Sequence, residues 1–412
     1  MIKHILIIVA VIVIMGQRCA GQSGMTNDSA ADWKSDIDFL AGKLTQTHPR
    51  FKTCGLPADL DSIKVNIARQ AGTLTDAQIF VELQKLLASV GDGHTLLYPF
   101  GMKKGMLLRI PLMFWLFSDG LFVIDASQEK FIGQKVLTIG SLSVDELLLK
   151  LKPYISHDNS QQLLWAAPFY CTLTDFLLAA GAIKNRETTS LVFGNNEKFT
   201  FTAEPINPEK LEIKLIPPKI GKSPDYLRYA NEIFRVEEIR PDILYAAINS
   251  MNDTPQKTLE AFGRELRGRL KPYKKLILDL RYNNGGEASN ADELLKTCIA
   301  FDADGGKIAV LVGRMTFSAA QTFTARIDQW TNAVFVGEKT GSKPNHYGNE
   351  RSFKLPFSGI RGAISSGYNQ PISINDTRMF IVPEITVPVD SESYFSGKDP
   401  EIDAAINELG KK

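Results

Sequence analysis

The sequence predicts an α/β protein built on a parallel sheet, and two observations carry that expectation. From about Glu237 onward, short apolar runs alternate with amphipathic stretches: strand 243–248, helix 257–270, strand 276–280, helix 288–301, strand 308–312 and a helix ending near Trp330. The second observation is the pair of strand-to-helix junctions inside that run. In one, the apolar segment Leu276-Ile277-Leu278-Asp279-Leu280 turns through Arg281-Tyr282-Asn283-Asn284 into Gly285-Gly286. In the other, strand 308–312 turns through Arg314-Met315-Thr316-Phe317 into Ser318-Ala319-Ala320.

Each junction has a chemical reading of its own. Adjacent glycines let a backbone N–H approach a ligand with no Cβ in the way. A serine flanked by small residues at a helix N-terminus can act as a nucleophile, given a base and an oxyanion site. The backbone N–H of Ala319 and that of Gly285 or Gly286 are the candidate oxyanion donors. The plainer fate of such a serine is a helix N-cap.

Composition sets the background. The chain has 412 residues, enough for two or three domains, of which 44% are hydrophobic and 23% charged. A net charge of +1 gives no reason to expect a nucleic acid or an anionic membrane as partner. At the N-terminus, Lys3 and His4 precede an apolar run from Ile5 to Gly16, followed by Gln17, Arg18 and the small Cys19-Ala20-Gly21. That order describes a signal peptide over 1–21, too short an apolar run to span a bilayer, and implies export to a periplasmic or extracellular space. Cys19 is a lipid-anchor alternative, against which Arg18 fits poorly. Cys54, Cys171 and Cys298 would remain, an odd and scattered set that reads as buried small hydrophobes rather than a disulfide framework. No histidine, cysteine or carboxylate cluster has metal-ligand spacing, and no cofactor motif occurs; neither a metal nor a cofactor is expected.

Four ordered motifs carry a resemblance. Leu-Asp-Leu-Arg-x-Asn-x-Gly-Gly ending at Gly286, Thr316-Phe317-Ser318-Ala319-Ala320, Val336-Gly337-Glu338-Lys339-Thr340-Gly341, and Pro383-Glu384-Ile385 with Gly397-Lys398-Asp399-Pro400 resemble the tail-specific, C-terminal processing serine peptidases and the core of tricorn protease. The resemblance covers the last ~180 residues strongly and the rest more loosely. It implies a parallel α/β peptidase core over 226–412, preceded by an N-terminal helical domain over 22–98 and a degenerate PDZ-like middle domain over 99–225.

The earlier segments accord with that division. Trp33, Ile37, Leu40 and Leu44 recur at helical spacing until His48-Pro49, and Thr75-Asp76 opens a second helix carrying Ile79, Phe80, Leu83, Leu86 and Leu87. Phe122-Val123-Ile124, segment 133–140 and the helix from Val144 resemble the second half of a PDZ-like module. An extra helical stretch over 161–182 interrupts it, and no Gly-Leu-Gly-Phe-type carboxylate loop is apparent, so a structural or lid role competes with capture of free C-termini.

Ser318 is the nucleophile the resemblance implies, and it leaves two bases open. Lys343, in Gly341-Ser342-Lys343-Pro344, stands where Ser–Lys members carry their lysine, although the flanking Pro344 and Tyr347 depart from that branch. His94, in Gly91-Asp92-Gly93-His94-Thr95, stands where tricorn-like members carry a triad histidine. Imidazole needs little pKa adjustment to serve near neutrality, whereas lysine needs a large depression. Asp376 falls near the place of the orienting acid, with Asp92 as the local alternative. His346 is a substrate-contact candidate, His48 reads as a helix-end residue and His157 as part of a polar loop. The expected function is an exported serine endopeptidase acting on unstructured or C-terminal protein segments. The alternatives are a non-catalytic ligand- or peptide-binding protein, as in the retinoid-carrying proteins of this fold, and a non-peptidase serine hydrolase. The oligomeric state is open.

Overall fold

The structure is a computed structural model, described over residues 28–99, 103–207 and 213–411. The signal-peptide segment and Cys19 lie outside the described residues. Among the described residues no helix is long and apolar enough to cross a membrane.

The three strands predicted from the alternating pattern form the middle of a six-stranded central sheet. Its order is Phe234–Arg240, Ile243–Ile248, Lys275–Asp279, Lys307–Val312, Val334–Gly337 and Ile385–Thr386, parallel except for the first strand. Successive side chains alternate between two faces. Leu244, Ala246, Leu276, Leu278, Ile308 and Val310 meet Phe262, Leu294 and Phe323 of helices Leu259–Leu270, Asp292–Ala303 and Ala319–Trp330. Tyr245, Ile277, Ala309 and Leu311 meet Ala405 and Leu409 of helix Pro400–Leu409 on the other face. Both faces are covered, which is why these strands read as unbroken apolar runs. The sheet's carboxyl ends carry both predicted junctions.

Helices Asp28–Thr47, Ala58–Gln70 and Asp76–Ala88 form the N-terminal layer. Thr75 and Gln78 close a reciprocal capping box at the start of the third, and its apolar stripe Ile79, Phe80, Leu83, Leu86 and Leu87 is fully buried. This layer shares one hydrophobic core with the middle sheet of strands Leu112–Phe117, Gly120–Ala126, Lys135–Ile139, Thr188–Phe193 and Lys198–Thr202. Helices Ser160–Tyr170 and Thr174–Ala179 account for the predicted helical interruption.

A hairpin from the C-terminal half ties the layers together. Strands His346–Lys354 and Arg361–Asn369 pair antiparallel, and Leu96–Leu97 adds a third strand through Leu96 opposite Ala363 and Leu97 opposite Gly362. Asp36 accepts the N–H groups of Phe357 and Ser358 at the hairpin's tip. The turn 91–95 is thereby held against the carboxyl edge of the central sheet.

Candidate active site

The serine junction rests on hydrogen bonds from the motif residues. Thr316 Oγ1 accepts the Gly313 N–H (3.0 Å) and donates to the Leu280 carbonyl (2.9 Å). The Phe317 N–H donates to the Asn283 carbonyl, and the Asn283 amide reaches the Ile248 carbonyl. Arg314 ion-pairs with Glu338, and the Gly341 N–H donates to the Thr316 carbonyl. The Gly-Glu-x-Thr motif is therefore a brace under the serine turn.

Ser318 itself sits at φ +55°, ψ −123°, a conformation that an L-residue adopts at a cost of about 1–3 kcal/mol. It occupies the N-cap position of helix Ala319–Trp330, yet its side chain makes no capping hydrogen bond. The hydroxyl is thus not used for helix capping, and it stands on the strained strand-to-helix turn typical of nucleophilic serines.

The double glycine lies alongside. A Cβ on Gly285 would fall 2.7 Å from Ser318 Cβ and 3.1 Å from the Ala319 nitrogen, and Gly285 has φ +110°. Only glycine allows this approach. The Gly285 N–H, one of the expected oxyanion donors, is taken by Asn283 Oδ1 at 3.0 Å. Gly285 contributes space rather than a donor. The N–H groups of Gly286, at φ +137°, and of Ala319 have no acceptor among the described residues.

His94 is 2% exposed, and its ring lies on that of Phe317 with centroids 4.3 Å apart. Both ring nitrogens are buried without a hydrogen-bond partner. Asp92 Oδ1 lies 3.7 Å from Nδ1. Burial pushes the His94 pKa down, but the nearby carboxylates of Asp92, Asp158 and Glu350 outweigh it, leaving the imidazole above its ordinary value. Asp92 is fully buried and accepts the His94 N–H (2.9 Å) and the Thr95 hydroxyl (2.5 Å). His48 Nε2 lies 3.4 Å from Asp92 Oδ2. Burial opposes ionisation of Asp92, yet His48 and His94 hold its pKa far below the usual range.

Asp158 joins from the start of the inserted helical stretch. It accepts the Gly93 N–H at 2.9 Å and the Ser342 hydroxyl at 2.5 Å, tying the His94 turn to the loop that bears Lys343. Lys343 is half-buried and, with Arg50, Asp158, His346, Tyr347 and Tyr368, lines a cavity of about 330 Å³. His346 donates from Nδ1 to the Lys343 carbonyl, and burial followed by the nearby His94 lowers its pKa. Its ring is parallel to that of His94, 5.7 Å away.

Asp376, expected near the orienting acid, instead pairs with Arg378, which also binds Asp328. The carboxylates that act on His94 are Asp92, Asp158 and Glu350. Sequence reasoning missed Asp158, in a loop read only as polar, and the burial of His48 against Asp92. Neither carries a local signal.

The comparisons with known proteins support a serine-type peptidase hydrolase. Residues 242–305 match the model of peptidase family S41. The structure of mature CPAF complexed with lactacystin superposes with a TM-score of 0.65, covering 93% of this chain and 98% of that chain at 14% identity. Mature CPAF alone gives 0.62 over 93% and 99% at 13% identity, and a CPAF mutant gives 0.62 over 93% and 97% at 12%. At these identities the likeness to CPAF is one of fold. A search of curated proteins returned no match.

Proposed function

We propose that this chain is an exported serine endopeptidase that cleaves unstructured or C-terminal protein segments through an acyl-enzyme on Ser318, with His94 as general base. The observation that carries the reading is the strained Ser318 turn, whose hydroxyl makes no cap bond and whose Cβ faces Gly285. Ser318 Oγ attacks the scissile carbonyl while His94 takes its proton and then passes it to the leaving amine. The Ala319 and Gly286 N–H groups receive the developing oxyanion; in comparable sites one such donor supplies roughly 3–4 kcal/mol. Ionised Asp92 stabilises the imidazolium. His94 is preferred over Lys343 because its ring packs on the residue adjoining Ser318, whereas Lys343 lines the neighbouring cavity. There Lys343 and Arg50 are suited to contacting the substrate. The basic, apolar and small-residue order of the N-terminus supports export.

A fluorophosphonate probe tests the reading. The wild-type protein should be labelled at Ser318 and the Ser318→Ala variant should not. A folded wild-type protein that resists labelling and cleaves no unstructured peptide would favour the binding-protein alternative.

A further inference from the structure

The site holds more ligand chemistry than a triad requires. His94, Asp92 and Asp158 are all buried, and each offers a ligand atom within 4.8 Å of the others. Tetrahedral zinc takes imidazole nitrogen and carboxylate oxygen at about 2.0–2.2 Å, which sets its ligand atoms about 3.4 Å apart. The three side chains would close in by up to about an ångström around the ion.

A second observation points the same way. Both His94 ring nitrogens are buried with no hydrogen-bond partner, and so is Nε2 of the adjacent His346. In a buried site such atoms carry a desolvation cost, which a bound cation would offset. The two carboxylates are already oriented by other groups, Asp158 by the Gly93 N–H and Ser342, Asp92 by Thr95 and the His94 N–H. Hydrogen bonds of this kind fix the ligands of metal sites. Asp158 and His346 also line the 330 Å³ cavity, which supplies an entry path.

We infer that Asp92, His94 and Asp158 form a site for a divalent cation of the zinc class. Mixed imidazole and carboxylate donors, few in number, suit zinc or cobalt rather than calcium, which takes six to eight oxygens. Three protein ligands leave a coordination position toward the cavity for water or His346. The consequence for activity rests on the peptidase reading above. Whichever His94 nitrogen binds, the ion's double charge opposes formation of the imidazolium that proton transfer from Ser318 requires. Bound zinc is therefore a reversible inhibitor, removed by a chelator.

The test separates binding from catalysis. Zinc titration of the untagged Ser318→Ala protein by calorimetry should show one ion per chain. Asp158→Asn and His94→Ala, each in that background and each with an unchanged circular dichroism spectrum, should weaken binding by at least about tenfold. In the wild-type enzyme, zinc should suppress peptide cleavage and EDTA should restore it. No stoichiometric zinc on the Ser318→Ala protein, or binding unchanged in both variants, overturns the site. Stoichiometric binding that both variants weaken, in a wild-type protein without peptidase activity, upholds the site and overturns the peptidase reading.

Discussion

His94 lies flat on Phe317, with ring centroids 4.3 Å apart and planes inclined by 20°. Since Phe317 immediately precedes Ser318, this stack sets where the His94 turn of the N-terminal layer meets the serine turn of the central sheet. Trp165, from the inserted helical stretch, meets Phe317 from another side with centroids 6.0 Å apart. Three segments distant in sequence therefore converge on one aromatic ring.

His94→Ala should reduce kcat by about 10²–10⁴-fold. Phe317→Leu keeps an apolar side chain but removes the flat support; a misplaced base should cost up to about 10²-fold in kcat. Lys343→Ala should act mainly on KM. A peptide-cleavage assay checks all three, and a Lys343→Ala loss in kcat larger than that of His94→Ala would transfer the role of base to the lysine.

The pH profile tests the electrostatics. A general base acts when unprotonated, so kcat/KM should rise with pH through the His94 pKa. Asp92, Asp158 and Glu350 raise that pKa despite burial, so the acidic limb should lie above 6.5. Asp158→Asn removes one of the raising charges and should move the limb to lower pH. A limb at or below 6.5 in the wild-type enzyme contradicts this arrangement.

Ser318→Ala should abolish turnover with little loss of stability, because the hydroxyl makes no cap bond. Alanine keeps the strained φ of +55°, whereas glycine adopts it freely. Relief of about 1–3 kcal/mol, set against roughly 0.4–1 kcal/mol of extra unfolded-state entropy, should make Ser318→Gly the more stable of the two. Urea unfolding of the two inactive variants gives the order, and a more stable alanine variant would argue against strain at this turn.

Gly285→Ala places a methyl group 2.7 Å from Ser318 Cβ, and Gly286→Val places a branched side chain 2.7 Å from Asn252 Oδ1. Either change should displace the oxyanion donors and lower kcat by about 10²–10³-fold. Normal kcat in folded forms of both would leave the oxyanion assignment without support.

The parts legible in the sequence were those encoded locally. The strands and helices between 243 and 330 follow from apolar periodicity, and Ser318 with its neighbouring glycines falls in contiguous motifs. His94 was visible through its short Asp-x-His signature. Asp158 was not, because its approach to Gly93 and Ser342 depends on a loop far from both in sequence. The same holds for His48, which the end of the first helix aims at Asp92. Asp376 illustrates the converse: its sequence position suits an orienting acid, but Arg378 two residues on engages it. The shared core of the N-terminal layer and the middle sheet was equally hidden, since amphipathic periodicity shows that a face is buried without showing against what.

Arg281 is buried among Asp279, Asp399 and Glu401, with its guanidinium 4.2 Å from the Tyr226 ring centroid. It joins the end of strand Lys275–Asp279 to helix Pro400–Leu409, which accounts for the Asp-x-Arg and Gly-x-Asp-Pro motifs together. Arg281→Met leaves the buried carboxylates without their cation and should destabilise the protein by about 3–5 kcal/mol. Glu401→Gln should behave differently. Burial, with Asp399 adding to it and Arg281 opposing it, pushes the Glu401 pKa from the ordinary 4.5 up to about 8. Between those values the folded state binds more protons than the unfolded chain, so this group's contribution to stability falls as pH rises. Glutamine cannot ionise, and the variant should lose less stability than the wild-type protein between pH 5.5 and 8. Urea unfolding at both pH values decides: an equal pH slope in wild type and Glu401→Gln would mean that Glu401 stays ionised in the fold, balanced by Arg281.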